Sequence, residues 1–222
     1  LLTGLALVLA TAIGLILGIE SGYARGSSLD RGLVAGLMFL GGFPDFFIGI
    51  LLLLIFAVSL QVLPISGATS PYAGHEGLAH IVDILKHLAL PLASMILVQL
   101  GGIFLLARNT IVTLLEESFI LTARAKGCPE RCIKYAHAGR NCLLPLTTAT
   151  GLRIPQLLTG ALFIEIVFSY PGVGSLLNTA IDARDYPLIQ GILLVVTLTV
   201  LTANFLVDLL YSRLDPRVRY AR

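Results

Sequence analysis

The run Leu1-Leu-Thr-Gly-Leu-Ala-Leu-Val-Leu-Ala-Thr-Ala-Ile-Gly-Leu-Ile-Leu-Gly-Ile19 contains no charged residue. A helix rises 1.5 Å per residue, so about 20 apolar residues cross a hydrocarbon core roughly 30 Å thick, and this stretch alone is long enough to span a bilayer. Four more stretches share its character. Residues 32–62 carry only Asp45, with Pro44 beside it as a kink or break; 87–107 carry no Lys, Arg, Asp or Glu; 143–164 carry only Arg153; and 186–207 carry none. Runs of this length predict spanning helices rather than the short alternating segments of a barrel. Composition agrees: of 222 residues 56% are hydrophobic and 13% charged, with mean hydropathy +0.91, whereas a soluble domain uses about 25% charged residues to cover its surface. The expected fold is therefore all-α and integral to the membrane, with five transmembrane helices. A net charge of +2 gives no reason to expect a nucleic-acid partner.

Lys and Arg collect in alternate loops. Arg25 and Arg31 lie in 20–31; Arg108, Arg124, Lys126, Arg131, Lys134 and Arg140 in 108–142; Arg213, Arg217, Arg219 and Arg222 in the tail. The remaining two loops hold Lys86 and Arg184. Cytoplasmic loops are enriched in these residues, which places 20–31, 108–142 and the C-terminus inside and 63–86 and 169–185 outside. Five spans with an inside tail start residue 1 outside, and the sequence opens in mid-span without Met or a basic leader. A signal peptide is not expected; a chain lacking at least one earlier helix is.

The longest polar stretch, 116–145, reads Glu-Glu-Ser-Phe-Ile-Leu-Thr-Ala-Arg-Ala-Lys-Gly-Cys-Pro-Glu-Arg-Cys-Ile-Lys-Tyr-Ala-His-Ala-Gly-Arg-Asn-Cys-Leu-Leu-Pro. Good helix formers run from Glu116 to Lys126, and Gly127 suits a left-handed C-cap. Pro129 then fits the first position of a new helix, with Glu130 favourable beside its positive end. Two short helices joined at a sharp Gly-Cys-Pro corner are predicted, forming a basic element that projects into the cytosol.

The segment Thr122-Ala-Arg-Ala-Lys-Gly127, followed by His137-Ala-Gly-Arg-Asn141 and Leu143-Leu-Pro145, resembles the EAA coupling loop of ABC importer permeases, in the form used by the dipeptide, oligopeptide and nickel branch. Arg25-Gly-Ser-Ser-Leu-Asp-Arg31, Leu63-Pro-Ile-Ser-Gly67, Glu165-Ile-Val-Phe-Ser-Tyr-Pro-Gly-Val-Gly174, Ala183-Arg-Asp-Tyr-Pro187 and Asp208-Leu-Leu-Tyr-Ser-Arg-Leu-Asp-Pro216 are similar to the same branch and stand in its order. Gly139 departs from it, since a larger apolar residue is usual there, and should loosen the second short helix by up to about 1 kcal/mol relative to Ala.

The resemblance implies a type I importer permease fold lacking its first helix, one transmembrane domain over 1–222 with a coupling loop at 116–145. It implies a multi-pass protein of the cytoplasmic membrane that pairs with a second permease subunit, two cytosolic ATPases and an extracytoplasmic solute-binding protein. ATP and Mg2+ would belong to the ATPases; the chain has no G-x-x-x-x-G-K-[ST] of its own and is expected to bind no cofactor and catalyse no reaction. Substrates in this branch are dipeptides, longer peptides or nickel chelates. Residues carried over to ATPase coupling are Thr122, Ala123, Arg124, Ala125, Lys126, Gly127, Arg131, His137, Arg140, Asn141 and Pro145. Ala123, Ala125 and Gly127 are small enough to enter a groove, and Arg124, Lys126 and Arg131 can pair with acids on its rim or simply face water and headgroups.

Acids within spans are costly and tend to face protein or water. Asp45 has two readings, contact with a cationic solute in the translocation path or a cap on the helix restarting at Phe46. Glu165 is expected near the outer face, forming an external gate with Tyr170, Pro171 and Gly172 or snorkelling into the interface. His80, Asp83 and His87 share one helical side, which suits a weak metal site or an amphipathic helix lying on the membrane, and His75 lies in the same loop. Cys128, Cys132 and Cys142 fall in the cytoplasmic loop, where thiols stay reduced. With His137 they have the chemistry of a metal site but not the spacing of a zinc ribbon or finger, and no metal is assigned.

Two other functions compete. A secondary transporter or channel predicts internal repeats and paired broken helices, and no repeat is evident. An intramembrane serine protease built on Ser66 and an external histidine needs the nucleophile buried beside a histidine on a neighbouring span, which Ser66, two residues after Pro64, does not offer.

Overall fold

The computed structural model describes residues 2–70, 76–151 and 153–214, with the side chains of all of these except 154–159, 207, 208 and 210–214. His75 and the tail cations Arg217, Arg219 and Arg222 lie outside the described residues, as do the side chains of Asp208 and Arg213. Every regular element among the described residues is helical. In order these are α1 (Leu2–Tyr23), α2 (Ser28–Gly41), α3 (Asp45–Leu52) running on into a π-helical stretch (Leu53–Ser59), α4 (Leu78–Leu114), α5 (Ser118–Ala125), a second π-helical stretch (Cys132–Gly139) continuous with α6 (Arg140–Gly151), α7 (Ile154–Val167), α8 (Val173–Asp182) and α9 (Tyr186–Leu214).

Among the described residues α1, α4 and α9 over Tyr186–Leu206 are each long and apolar enough to cross a membrane, and a fourth span results if α2 and Asp45–Ser59 count as one broken helix. Two of the five predicted spans are thus interrupted. The second breaks at Gly42-Phe43-Pro44, because proline lacks an N–H and biases the residue before it away from helical geometry. The fourth divides into α6 and α7, with Arg153 as N-cap and a proline in the first turn of α7, the place where its missing N–H costs nothing.

The chain forms two compact units, one of Gly4–Pro44 and Ile96–Thr150 and the other of Leu1–Thr3, Asp45–Met95 and Gly151–Arg222. The core of the first is Ala10, Ile19, Ile103, Ala107, Ile111, Ile120, Ala123, Ile133, Ala138, Cys142 and Leu146, contributed by α1, α4, α5, the second π-helical stretch and α6. What lets α1 approach α4 is a row of glycines four apart. A Cβ on Gly14 would lie 2.7 Å from Ile103 Cγ2, one on Gly18 2.5 Å from Ala107 Cβ, and one on Gly22 2.9 Å from the Arg108 carbonyl oxygen. Residues four apart share a helix face, so the row is a continuous groove for α4, of the kind small residues make between membrane helices.

In the second unit α7 packs on α3, α8 and α9. Gly49 of α3 fits between Ile164 and Phe168 of α7 and Ser94 of α4. The loop after the first π-helical stretch is tied down by the Gly67 N–H, which donates to the Phe168 carbonyl at 2.9 Å. Large apolar side chains of α9, among them Leu193, Leu194, Leu198 and Phe205, are exposed, as expected where the surrounding solvent is lipid.

Gly18→Val should drive α1 off α4 and lower the melting temperature of the detergent-solubilised chain, an overpacking cost of about 1–3 kcal/mol. Gly4→Ala, on the same helix with open space around it, should not lower the melting temperature, and equal melting of the two variants would refute the close contact.

Candidate functional site

The stretch 116–145 folds as the predicted elbow. Helix α5 ends in a Schellman arrangement: the Gly127 N–H donates to the Arg124 carbonyl (2.9 Å) and the Cys128 N–H to the Ala123 carbonyl (3.1 Å), with Gly127 at φ +76°. Only glycine adopts that conformation without strain. Pro129 then opens the second arm, its carbonyl accepting from the Cys132 and Ile133 N–H groups. That arm is helical at both joints, Arg131 and Arg140 having φ of −63° and −62°, so it runs without interruption into α6.

The elbow has a buried underside and an exposed outer face. Ile120, Ala123, Ile133 and Ala138 sink into the core with Ile19, Ala107 and Ile111. Ala123 is 5% exposed, so its small size serves packing within the chain and it is not free to enter a partner's groove. Thr122, Arg124, Ala125, Lys126, Gly127, Arg131, Arg140, Asn141 and Pro145 are exposed and His137 half-buried. Arg124 reaches Glu130 at 3.9 Å across the corner, an exposed pair of the kind that contributes little. Asn141 Nδ2 donates to the His137 carbonyl (2.7 Å) and the Thr122 hydroxyl to that of Ser118 (2.9 Å). Gly139 is buried, and a Cβ there would meet Ile19 Cδ1 at 3.1 Å. Its absence of side chain admits α1 to the second arm, so close packing accompanies the loosening expected from composition.

Charge pairs fasten the first unit. Asp30, 3% exposed, receives Arg108 through two hydrogen bonds, Nε to Oδ1 at 2.9 Å and Nη2 to Oδ2 at 2.8 Å. The Ser21 hydroxyl (2.6 Å) and the Gly26 N–H (2.8 Å) complete the carboxylate's shell, and the Ser27 hydroxyl accepts from the Asp30 N–H to cap α2. Glu20 of α1 accepts from Lys134 Nζ at 2.5 Å and from the Tyr135 hydroxyl, both on the second arm. Sequence reading singled out none of these four residues as partners. The capping pattern Ser27-x-x-Asp30 was the available signal for one end; nothing local marks Arg108, 78 positions away.

The second unit holds the other predicted residues. Glu165 accepts from the Gly174 N–H at 2.6 Å and so caps α8, an anion at a helix N-terminus. Its carboxylate fills the space a Gly172 side chain would need, and its carbonyl accepts from the Tyr170 N–H at 2.8 Å. Glu165, Tyr170, Pro171 and Gly172 are thus brought together as one turn. Asp45 is the first residue of α3, and its carboxylate lies against Gly160 of α7. His80, Asp83 and His87 do not form a surface helix of their own; they occupy the opening turns of α4. Asp83 accepts from the Ser70 N–H and hydroxyl, each at 2.7 Å, and His87 Nδ1 lies 2.8 Å from the Asp83 carbonyl. The group straps the 60–70 loop to α4 while His80 stays exposed. His87, Ser66 and Ser70 line a cavity of about 550 Å³.

The family model of the binding-protein-dependent transport system inner membrane component matches residues 10–220. The chain belongs to this family. It is similar to the di/tripeptide transport system permease protein DppB of Pseudomonas aeruginosa (strain UCBPP-PA14), 36% identical over 232 residues covering 98% of this chain and 69% of that protein. It is likewise similar to the dipeptide transport system permease protein DppB of Escherichia coli (strain K12), 34% identical over 237 residues with the same coverage. As an ABC importer permease the chain is a membrane subunit, and the all-helical architecture is the one the resemblance implied.

Asp30→Ala in this permease leaves the Arg108 charge buried without its partner, a loss of about 3–5 kcal/mol. Thermal unfolding in detergent should show it, and Asp30→Ala with Arg108→Met should recover much of the stability. A double variant as unstable as the single one would contradict the pairing.

Proposed function

We propose that this permease forms half of the translocation path of an ATP-driven peptide importer and that its elbow seats a cytosolic ATPase. One observation carries the reading: the elbow's outer face is small and basic at Ala125, Lys126, Gly127 and Arg131, while its underside belongs to the core of α1 and α4. A partner pressing on the corner therefore loads two membrane helices directly, and α6 through the continuous second arm. The energy comes from ATP and Mg2+ held by the ATPase pair, whose closure favours one conformation of the permease over the other. A second permease subunit completes the path and an extracytoplasmic binding protein delivers solute. The distribution of Lys and Arg supports a cytoplasmic elbow and C-terminus.

Peptides are favoured over nickel chelates as substrates because both relatives above are named for di- or tripeptide transport. Asp45 is assigned to the path, and the turn of Glu165 with Tyr170, Pro171 and Gly172 to its external gate.

Gly127→Asp, which forces a side chain into a left-handed position, should leave the permease inserted yet cut ATPase co-purification about tenfold or more, the loss that 1.4 kcal/mol of docking free energy produces. Undiminished recovery would overturn the docking assignment. In proteoliposomes containing the whole complex, Asp45→Asn should reduce dipeptide uptake; uptake unchanged across a dipeptide panel would leave Asp45 as the start of α3 and nothing more.

A further inference from the structure

The structure assigns a site for a thiophilic metal ion, zinc in the first instance, to Cys128, Cys132 and His137 on the elbow. Their ligand atoms all lie within 4.8 Å of one another and all three residues are half-buried, open to an arriving ion yet partly screened from bulk water. Among the described residues this is the one grouping of three or more His, Cys, Asp or Glu side chains close enough to hold a metal.

Backbone geometry explains why residues with so unpromising a spacing converge. In an α-helix two residues five apart are turned about 140° from each other, at 100° per residue. Cys132 and His137 instead stand at the first turn of a π-helical stretch, whose i→i+5 hydrogen bonding stacks residues five apart. Cys128 arrives from the other side of the corner, held one residue beyond Gly127 by the bond from its N–H to the Ala123 carbonyl.

Zinc binds sulfur at about 2.3 Å and imidazole nitrogen at about 2.0–2.1 Å, which in a tetrahedron sets donors about 3.5–3.8 Å apart. Closing from 4.8 Å thus takes side-chain movement of about an ångström. Two thiolates and an imidazole suit zinc or another soft ion and not magnesium or calcium. Three protein ligands leave one position for water or a group from a docked partner. Cys142 is no part of the site: it is fully buried and its thiol points to the Ala107 carbonyl at 3.7 Å. An ion held this way ties the corner to the second arm and fixes the angle of the elbow. The site stands whether or not the elbow seats an ATPase.

The test uses the full chain in detergent, purified without a polyhistidine tag, kept reduced and titrated with Co2+ and then Zn2+. We expect one equivalent of Co2+ to bring thiolate-to-cobalt absorption with the visible bands of a four-coordinate ion, and Zn2+ to displace it. Cys132→Ser and His137→Ala should each weaken binding by at least the ~10-fold that even an outer-shell change produces, and Cys142→Ser should not. A second readout needs no variant: Zn2+ should slow maleimide labelling of Cys128 and Cys132, read by mass spectrometry. A folded chain showing neither thiolate absorption nor protection, or absorption undiminished in Cys132→Ser, would overturn the assignment.

Discussion

Gly14, Gly18 and Gly22 let the backbone of α1 lie directly against the side chains and backbone of α4, and the rest of the first unit follows from that contact. Lipid tails are as apolar as leucine, so membrane helices gain little from the hydrophobic effect when they meet; close van der Waals packing has to hold them. Dispersion falls off steeply once a gap opens. A pair of helices kept apart by even one methyl group would lose the contacts of Ile103, Ala107 and Ile111, which are also the floor on which the elbow rests.

Close packing at that interface also makes the charged groups at its end affordable. Asp30 and Arg108 sit where water is scarce, and an isolated ion there would cost several kcal/mol. Two directional bonds between them, together with the Ser21 hydroxyl and Gly26 N–H, replace the lost hydration. Glu20, its side chain 38% exposed, pairs with Lys134 of the second arm at a wetter edge. Electrostatic attraction in a medium of low dielectric is strong over these short distances, so α2, α4 and the elbow are fixed to α1 by few but specific contacts. The elbow is consequently an extension of the membrane helices rather than a loop hung between them.

Features set by neighbours in sequence were legible. Apolar runs located the spans because bilayer thickness fixes their length, and Gly127 announced the corner because left-handed backbone at a helix end favours glycine. Features set by distant partners were not. Nothing near Arg108 points to Asp30, and nothing near Gly139 shows that Ile19 lies over it. The interruptions of the second and fourth spans fall at Pro44 and beside Arg153-Ile154-Pro155; proline was visible at both places, but hydropathy summed over a window cannot distinguish a break from a kink. At Glu165 the sequence offered a gate or a snorkelling side chain. The bond to the Gly174 N–H joins the carboxylate to the turn, an outcome that depends on how α7 meets α8.

The π-helical second arm shows most clearly why spacing rules mislead here. Motif reading presumes α-helical periodicity, in which Cys132 and His137 would diverge. Widening to i→i+5 bonds turns both toward Cys128 while keeping Ile133 and Ala138, also five apart, together in the core. The same widening thus serves two faces at once: inward it stacks apolar residues over α1 and α4, and outward it gathers soft donors beside the corner. An α-helical second arm, in which residues five apart are turned about 140° from each other, would lose both alignments together. The geometry of the elbow's inner packing therefore constrains what chemistry its outer face can present, and any ligand that stabilises the π-helical form would act on both.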